Sequence, residues 1–165
     1  MFQCLLLALD ETASGEIGLS FATALAREHG SSVHVFHANE LILGGRGVAV
    51  ETSEEASRLV NVAVDRLGEA GVEASGEWTL ANRFTLPRRI ADAAARSGAG
   101  AILFGSHRHR RVHRLFGRGI RERVTRITPL PVLTAPPPLR LGGRRRGPMA
   151  EVRRLARRAD SSMRT

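Results

Sequence analysis

The chain of 165 residues has one cysteine, Cys4, and no lysine. A lone cysteine excludes a disulfide framework and a cysteine-rich zinc site. Without lysine, all 25 basic residues are arginine, the side chain best suited to bidentate phosphate contacts. Long apolar runs are missing as well. Cys4 to Leu9 is far too short to span a bilayer, no basic residue precedes it, and Asp10 follows it. Neither a membrane span nor a signal peptide is read there, and a soluble cytoplasmic protein is expected. The chain also lacks Gly-x-Ser-x-Gly, His-Glu-x-x-His and a Gly-x4-Gly-Lys-Ser/Thr loop. With no nucleophile–base constellation along it, a non-enzymatic protein is expected.

What is present is enough for one compact domain. The hydrophobic share is 42%, and a chain of this size buries roughly 70% of the surface its unfolded form exposes. The net charge of +9 is unevenly placed. Residues 1–106 carry eight Arg against thirteen acids, a balance of −5. Residues 107–135 carry eight Arg against Glu122, and residues 136–165 carry nine against Glu151 and Asp160, +7 in each case. The body is acidic, and the excess lies in two basic blocks.

Strand and helix patterns alternate along the first 135 residues. Phe2 to Leu9 is nearly unbroken apolar sequence, as in a strand buried on both faces. Ile17, Phe21, Ala24 and Leu25 then recur at helical spacing, with Thr12 or Ser14 as the cap and Gly30 as the stop. Val33 to Ala38 reads as a second strand, followed by a loop with Gly44, Gly45 and Gly47. Thr52-x-x-Glu55 is a capping box for a helix ending near Gly68 or Gly71. Val72 to Leu80, with Trp78, is a weaker strand, and Trp78 is expected to pack on a helix. A helix from about Pro87 to Ser97, a buried strand Ala99–Gly105, a helix Leu115–Ile127 and a short strand Pro131–Thr134 complete the order. Such alternation indicates an open parallel α/β sheet covered on both faces. Residues 136–165, with Pro136-Pro137-Pro138, Gly142-Gly143 and Arg144–Arg146, read as a disordered basic tail.

In open α/β sheets, ligands bind beyond the carboxyl ends of the strands. Asp10 ends the first strand, where its carboxylate can meet a nucleotide or simply cap the next helix. Gly105-Ser106 ends the fourth, where it serves an anion at a helix N-terminus or simply a tight exit. From the residues alone both alternatives stay open.

Phe104 to Thr134 reads FGSHRHRRVHRLFGRGIRERVTRITPLPVLT. Gly105-Ser106, Glu122-Arg123-Val124 and Pro129-Leu130-Pro131-Val132-Leu133, together with Leu7-Ala8-Leu9-Asp10 and Gly18-Leu19-x-x-Ala22, resemble the universal stress protein family over residues 2–135. The resemblance implies an adenine-nucleotide α-hydrolase-like fold, with a five-stranded parallel sheet of order 3-2-1-4-5. It also implies a stress-response module, commonly a homodimer through the edge of the last strand. Nucleotide-binding members carry Gly-x2-Gly-x9-Gly-Ser/Thr around the ATP phosphates. In this chain the first position is Gly105, but Arg108 and Arg118 replace the next two glycines and Gly119 replaces the Ser/Thr. The implied nucleotide contacts are Asp10, Gly105, Ser106, Gly119 and Ile120, with Mg²⁺ entering only with ATP. Two alternatives follow: the arginines substitute ion pairs for backbone cradling, or they abolish ATP binding.

His107, His109 and His113 do not read as a metal site, because Arg108, Arg110, Arg111 and Arg114 repel a cation. His34 and His37 lie on opposite faces of one strand, as core or sheet-end residues. A second functional class is a polyanion or nucleic-acid binder acting through residues 107–126 and the tail. The tail lacks stacking aromatics, so such binding would ignore sequence.

Overall fold

The computed structural model describes residues 2–42, 48–106 and 118–137. Strand β1 (Cys4–Leu9) lies at the centre, buried on both sides, with Leu5, Leu6 and Leu7 fully out of solvent. Each such leucine contributes about 1.5–3 kcal/mol of burial free energy. Strand β2 (Ser32–Ile42) pairs with it on one side and β5 (Ala101–Phe104) on the other, both parallel. Beyond these lie β4 (Ala74–Ala81) against β2 and β6 (Val132–Thr134) against β5. The parallel order β4-β2-β1-β5-β6 is the 3-2-1-4-5 order expected from the sequence. One strand is additional: β3 (Val48–Ala49) pairs antiparallel with Leu41 and Ile42 at the end of β2.

Alternation along the strands divides the core in two. Leu5, Leu7, Leu9, Val33 and Val35 face helices α1 (Ala13–His29) and α2 (Ser53–Glu69), which supply Leu19, Ala22, Val60, Ala63 and Leu67. Leu6, Ala8, Phe36 and Ala38 face α3 (Leu86–Arg96) and α4 (Arg118–Ile127), which supply Leu86, Ile90, Ala94, Ile120 and Val124. Two layers of helices therefore enclose the sheet, as its nearly continuous apolar strands require.

Local signals set most helix ends. The Thr12 side chain accepts from the Ser14 N–H, and Gly30 closes α1 in the left-handed region at φ 64°. Both halves of the Thr52–Glu55 capping box are made. The Thr52 backbone N–H and hydroxyl hold the exposed Glu55 carboxyl below its usual range. Trp78 packs toward α2, where its Nε1–H donates to Ser57 Oγ at 2.8 Å.

Several boundaries differ from those read in the sequence. β2 runs four residues past Ala38, because its pairing with β4 continues to Glu40 and its last two residues pair with β3. Asn39 and Glu40 look like loop sequence, and tertiary pairing overrides that preference. β4 starts at Ala74 rather than Val72, and α3 starts one residue before Pro87. α4 is described from Arg118; the expected turn from Leu115, the glycine loop at 44–47 and the tail from residue 138 lie outside the described residues.

Two glycines give a controlled test of this packing. A Cβ on Gly76 would stand 2.4 Å from Val60 Cγ1 on α2, whose branched side chain has little rotamer freedom. Gly76→Ala should destabilise the protein by about 1–3 kcal/mol. Gly68, inside α2, has nothing within 4 Å of such an atom, so Gly68→Ala should stabilise by about 0.5 kcal/mol. Urea unfolding midpoints at unchanged slope measure both.

Candidate functional site

The strand order reverses between β1 and β5, whose partners Ala8 and Phe104 stand side by side at the carboxyl end. Asp10 and Gly105 each follow within two residues, so the sheet brings together two positions 95 residues apart in sequence. This is where an open α/β sheet leaves a crevice for a ligand.

Asp10 does cap the first helix. Its Oδ1 accepts from the N–H groups of Thr12 and Gly15, each at 3.0 Å, and from the Thr12 hydroxyl. The Thr12 hydroxyl in turn accepts from Ser14 N–H at 3.1 Å. All of these Asp10 bonds converge on one carboxylate oxygen. They satisfy donors that a helix N-terminus otherwise leaves open, and place negative charge at the positive end of the helix dipole.

The first turn of α1 lies directly on the strand ends. A Cβ on Gly15 would fall 1.9 Å from the Asp10 carbonyl oxygen, and one on Gly105 would fall 1.9 Å from the Ser14 carbonyl oxygen. Glycine at 105 is thus required by helix–strand contact, independently of any phosphate. Gly119 is different. It sits exposed in α4, one residue past the first described position of that helix, with nothing within 4 Å of an added Cβ. The Ile120 side chain is a core group, 6% exposed and packed with Ile90 and Val124, which leaves only its main chain for a ligand.

Two hydroxyls in this region are conspicuous. Ser14 and Ser106 are each 7% exposed, and neither Oγ has a hydrogen-bond partner among the described residues. Ser14 Oγ lies 2.5 Å from where a Cβ on Gly105 would stand, and Ser106 is the next residue. A buried hydroxyl left unpaired costs about 1–3 kcal/mol. Ser106 was visible in the sequence as part of Gly-Ser; Ser14 was visible only as an alternative cap.

Beside the crevice, His37 and Asn39 fasten the segment entering α2. His37 is 2% exposed; its Nδ1–H donates to the Leu9 carbonyl at 3.0 Å, and its Nε2 meets Glu51 Oε2 at 2.9 Å. The Asn39 amide donates to the Glu51 carbonyl at 2.7 Å and accepts from its N–H at 3.1 Å. No linear spacing announces this clamp. Next to it is a cavity of about 450 Å³ lined by apolar Val50, Leu59 and Val62 and by charged Glu11, Glu51, Glu55 and Arg58.

The arginines divide between described and undescribed segments. Arg108 and the three histidines at 107, 109 and 113 lie outside the described residues, as does the tail from 138. Within α4, Arg121 Nη1 donates to Thr134 Oγ1 at 3.0 Å. Arg123 donates to the carbonyls of Arg83 and Phe84 at 2.8 and 3.0 Å, tying α4 to the loop before α3. These two serve the fold. Among the described residues there is no group of three or more His, Cys, Asp or Glu able to hold a metal, and no helix is long and apolar enough to cross a membrane.

No family model matches the chain, and no curated protein matches it. Solved structures do. A protein from the universal stress protein family of Burkholderia pseudomallei is 22% identical over 82% of this chain and 96% of its own, with TM-score 0.64. A universal stress protein from Archaeoglobus fulgidus is 25% identical over 81% and 93%, with TM-score 0.59. The universal stress protein from Archaeoglobus fulgidus in complex with dAMP is 24% identical over 81% and 98%, also at 0.59. The architecture is the one these proteins share, so the resemblance seen in the sequence is borne out at the level of the fold.

The Asp10 cap gives a direct prediction for the ligand-free protein. Asp10→Ala removes the acceptor of the Thr12 and Gly15 N–H groups at the start of α1 and should cost about 1–2 kcal/mol, whereas Asp10→Asn keeps one oxygen and should cost less. Chemical unfolding of the three proteins in nucleotide-free buffer checks the order.

Proposed function

We propose that this chain is a universal stress protein: a non-enzymatic, cytoplasmic stress-response module that holds an adenine nucleotide beyond the ends of β1 and β5. The observation that carries this reading is the pair of buried, unpartnered hydroxyls of Ser14 and Ser106 beside Gly105, in a fold shared with a protein in complex with dAMP. Support also comes from Asp10, whose bonds to the α1 entrance use Oδ1, so that Oδ2 can accept from a ribose hydroxyl or a base. Ser14 and Ser106 would donate to phosphate oxygens. The N–H groups of Gly119 and Ile120, at the described start of α4, would add main-chain donors.

Substitution of Arg108 and Arg118 for glycine makes guanidinium pairing the means of holding the distal phosphates. Mg²⁺ has no protein cage among the described residues and enters with the nucleotide. The β6 edge, which pairs only with β5 among the described residues, is the surface through which the homodimer would form.

Calorimetric titration of the full chain with AMP, and with ATP and Mg²⁺, tests the reading: saturable binding is expected, and no heat at millimolar nucleotide would overturn it. Ser106→Ala should act with opposite signs on two measurements. It removes an unpaired buried hydroxyl, so the ligand-free protein should be at least as stable, while nucleotide affinity should fall roughly 3- to 10-fold. Arg108→Gly should weaken ATP binding more than AMP binding; stronger ATP binding would show that the arginine obstructs the site.

A further inference from the structure

Away from the crevice, the pairing of β2 with β4 assembles a group that neither strand shows alone. The parallel register sets His34 beside Ser75, and strand alternation puts Glu77 on the same face of β4 as Ser75. His34 Nδ1 lies 2.8 Å from Ser75 Oγ, and its Nε2 lies 3.4 Å from Glu77 Oε1. Arg96, reaching from α3, donates to the same Glu77 oxygen at 2.8 Å. The polar groups around the imidazole are thus Ser75 and Glu77 from β4, with Arg96 behind the carboxylate. The His34 side chain is 15% exposed, while Ser75 is exposed.

This is the order hydroxyl, imidazole, carboxylate, which lets a serine act as a nucleophile whatever the fold that supplies it. The Glu77 carboxylate can only accept, so it favours the tautomer with hydrogen on Nε2. That tautomer turns the Nδ1 lone pair toward the Ser75 hydroxyl. The Arg96 contact holds Glu77 in place.

We propose that Ser75 is a nucleophile, with His34 as its base and Glu77 as a positioning residue, that accepts an acyl group from activated esters. In that step the Oγ–acyl carbon bond forms as the carbon–oxygen bond to the leaving alkoxide breaks. The Oγ proton passes to His34 Nδ1 and then to solvent, and the leaving group departs with its electron pair. The result is one modified serine per chain, on the edge strand and apart from the nucleotide crevice. It does not depend on nucleotide binding.

The probe is p-nitrophenyl acetate on the full chain, with nitrophenolate release followed by absorbance and the acetylated residue located by peptide mass spectrometry. Ser20 is the internal reference, an exposed serine whose hydroxyl donates to the Glu16 carbonyl and has no imidazole partner among the described residues. Ser75 should acetylate at least about 100-fold faster than Ser20, the scale of general-base assistance. His34→Gln should remove that advantage, and Ser75→Ala should remove the adduct from its peptide. Glu77→Gln should slow the reaction, with Glu77→Asp recovering part of the rate at an unchanged unfolding midpoint. Equal labelling of Ser75 and Ser20 in the wild-type protein would overturn the proposal without recourse to any variant. So would a His34→Gln protein that labels Ser75 as fast as wild type.

Discussion

The close seat of α1 on the ends of β1 and β5 is the contact on which the rest of the structure depends. It needs two positions without a side chain, Gly15 against the Asp10 carbonyl and Gly105 against that of Ser14. It also needs an acceptor for the helix N-terminus, which Asp10 supplies. Once the helix is seated, Ser14 is carried inward against Gly105 and loses access to water. The same contact that completes the core therefore buries a hydroxyl that has no partner among the described residues. Helix packing and crevice formation share one cause here, because both occur at the same strand ends.

β2 has a second organising role. It is the strand with most neighbours, pairing with β1, β4 and β3. Its polar residues serve both ends: His37 and Asn39 clamp the entrance of α2 near the crevice, and His34 meets Ser75 and Glu77 toward the other end. A histidine in a strand interior is costly unless both ring nitrogens find partners. Both histidines of this strand find them, on opposite faces of the sheet.

Charge follows a comparable division. Two arginines of the acidic body bridge elements: Arg66 joins α2 to Glu16 of α1, and Arg96 joins α3 to Glu77 of β4. Exposed pairs of this kind contribute little to stability; they set relative orientation. Arg121 and Arg123 work similarly from α4. A total of +9 thus says little about partners until each guanidinium is placed.

The sheet order followed only from the family resemblance. The alternation of strands and helices, the two helical layers and the caps at Thr12, Gly30 and Thr52 were legible in the sequence, because each rests on interactions within a few residues or on apolar periodicity. Asp10, Gly105 and Ser106 were legible as strand-end positions for the same reason. Their roles were not. That Gly105 answers to Ser14, that Ser14 and Ser106 have no partners among the described residues, and that Ile120 is core depend on how α1 and α4 sit against strands far along the chain. The extension of β2, the His37–Glu51–Asn39 clamp and the Ser75–His34–Glu77 alignment likewise exist only once strands are in register. By itself the sequence determined which segments form most of the elements and that strands alternate with helices. Only the tertiary structure decided which polar groups meet. A parallel register joins residues some forty positions apart through backbone hydrogen bonds that carry no side-chain signature.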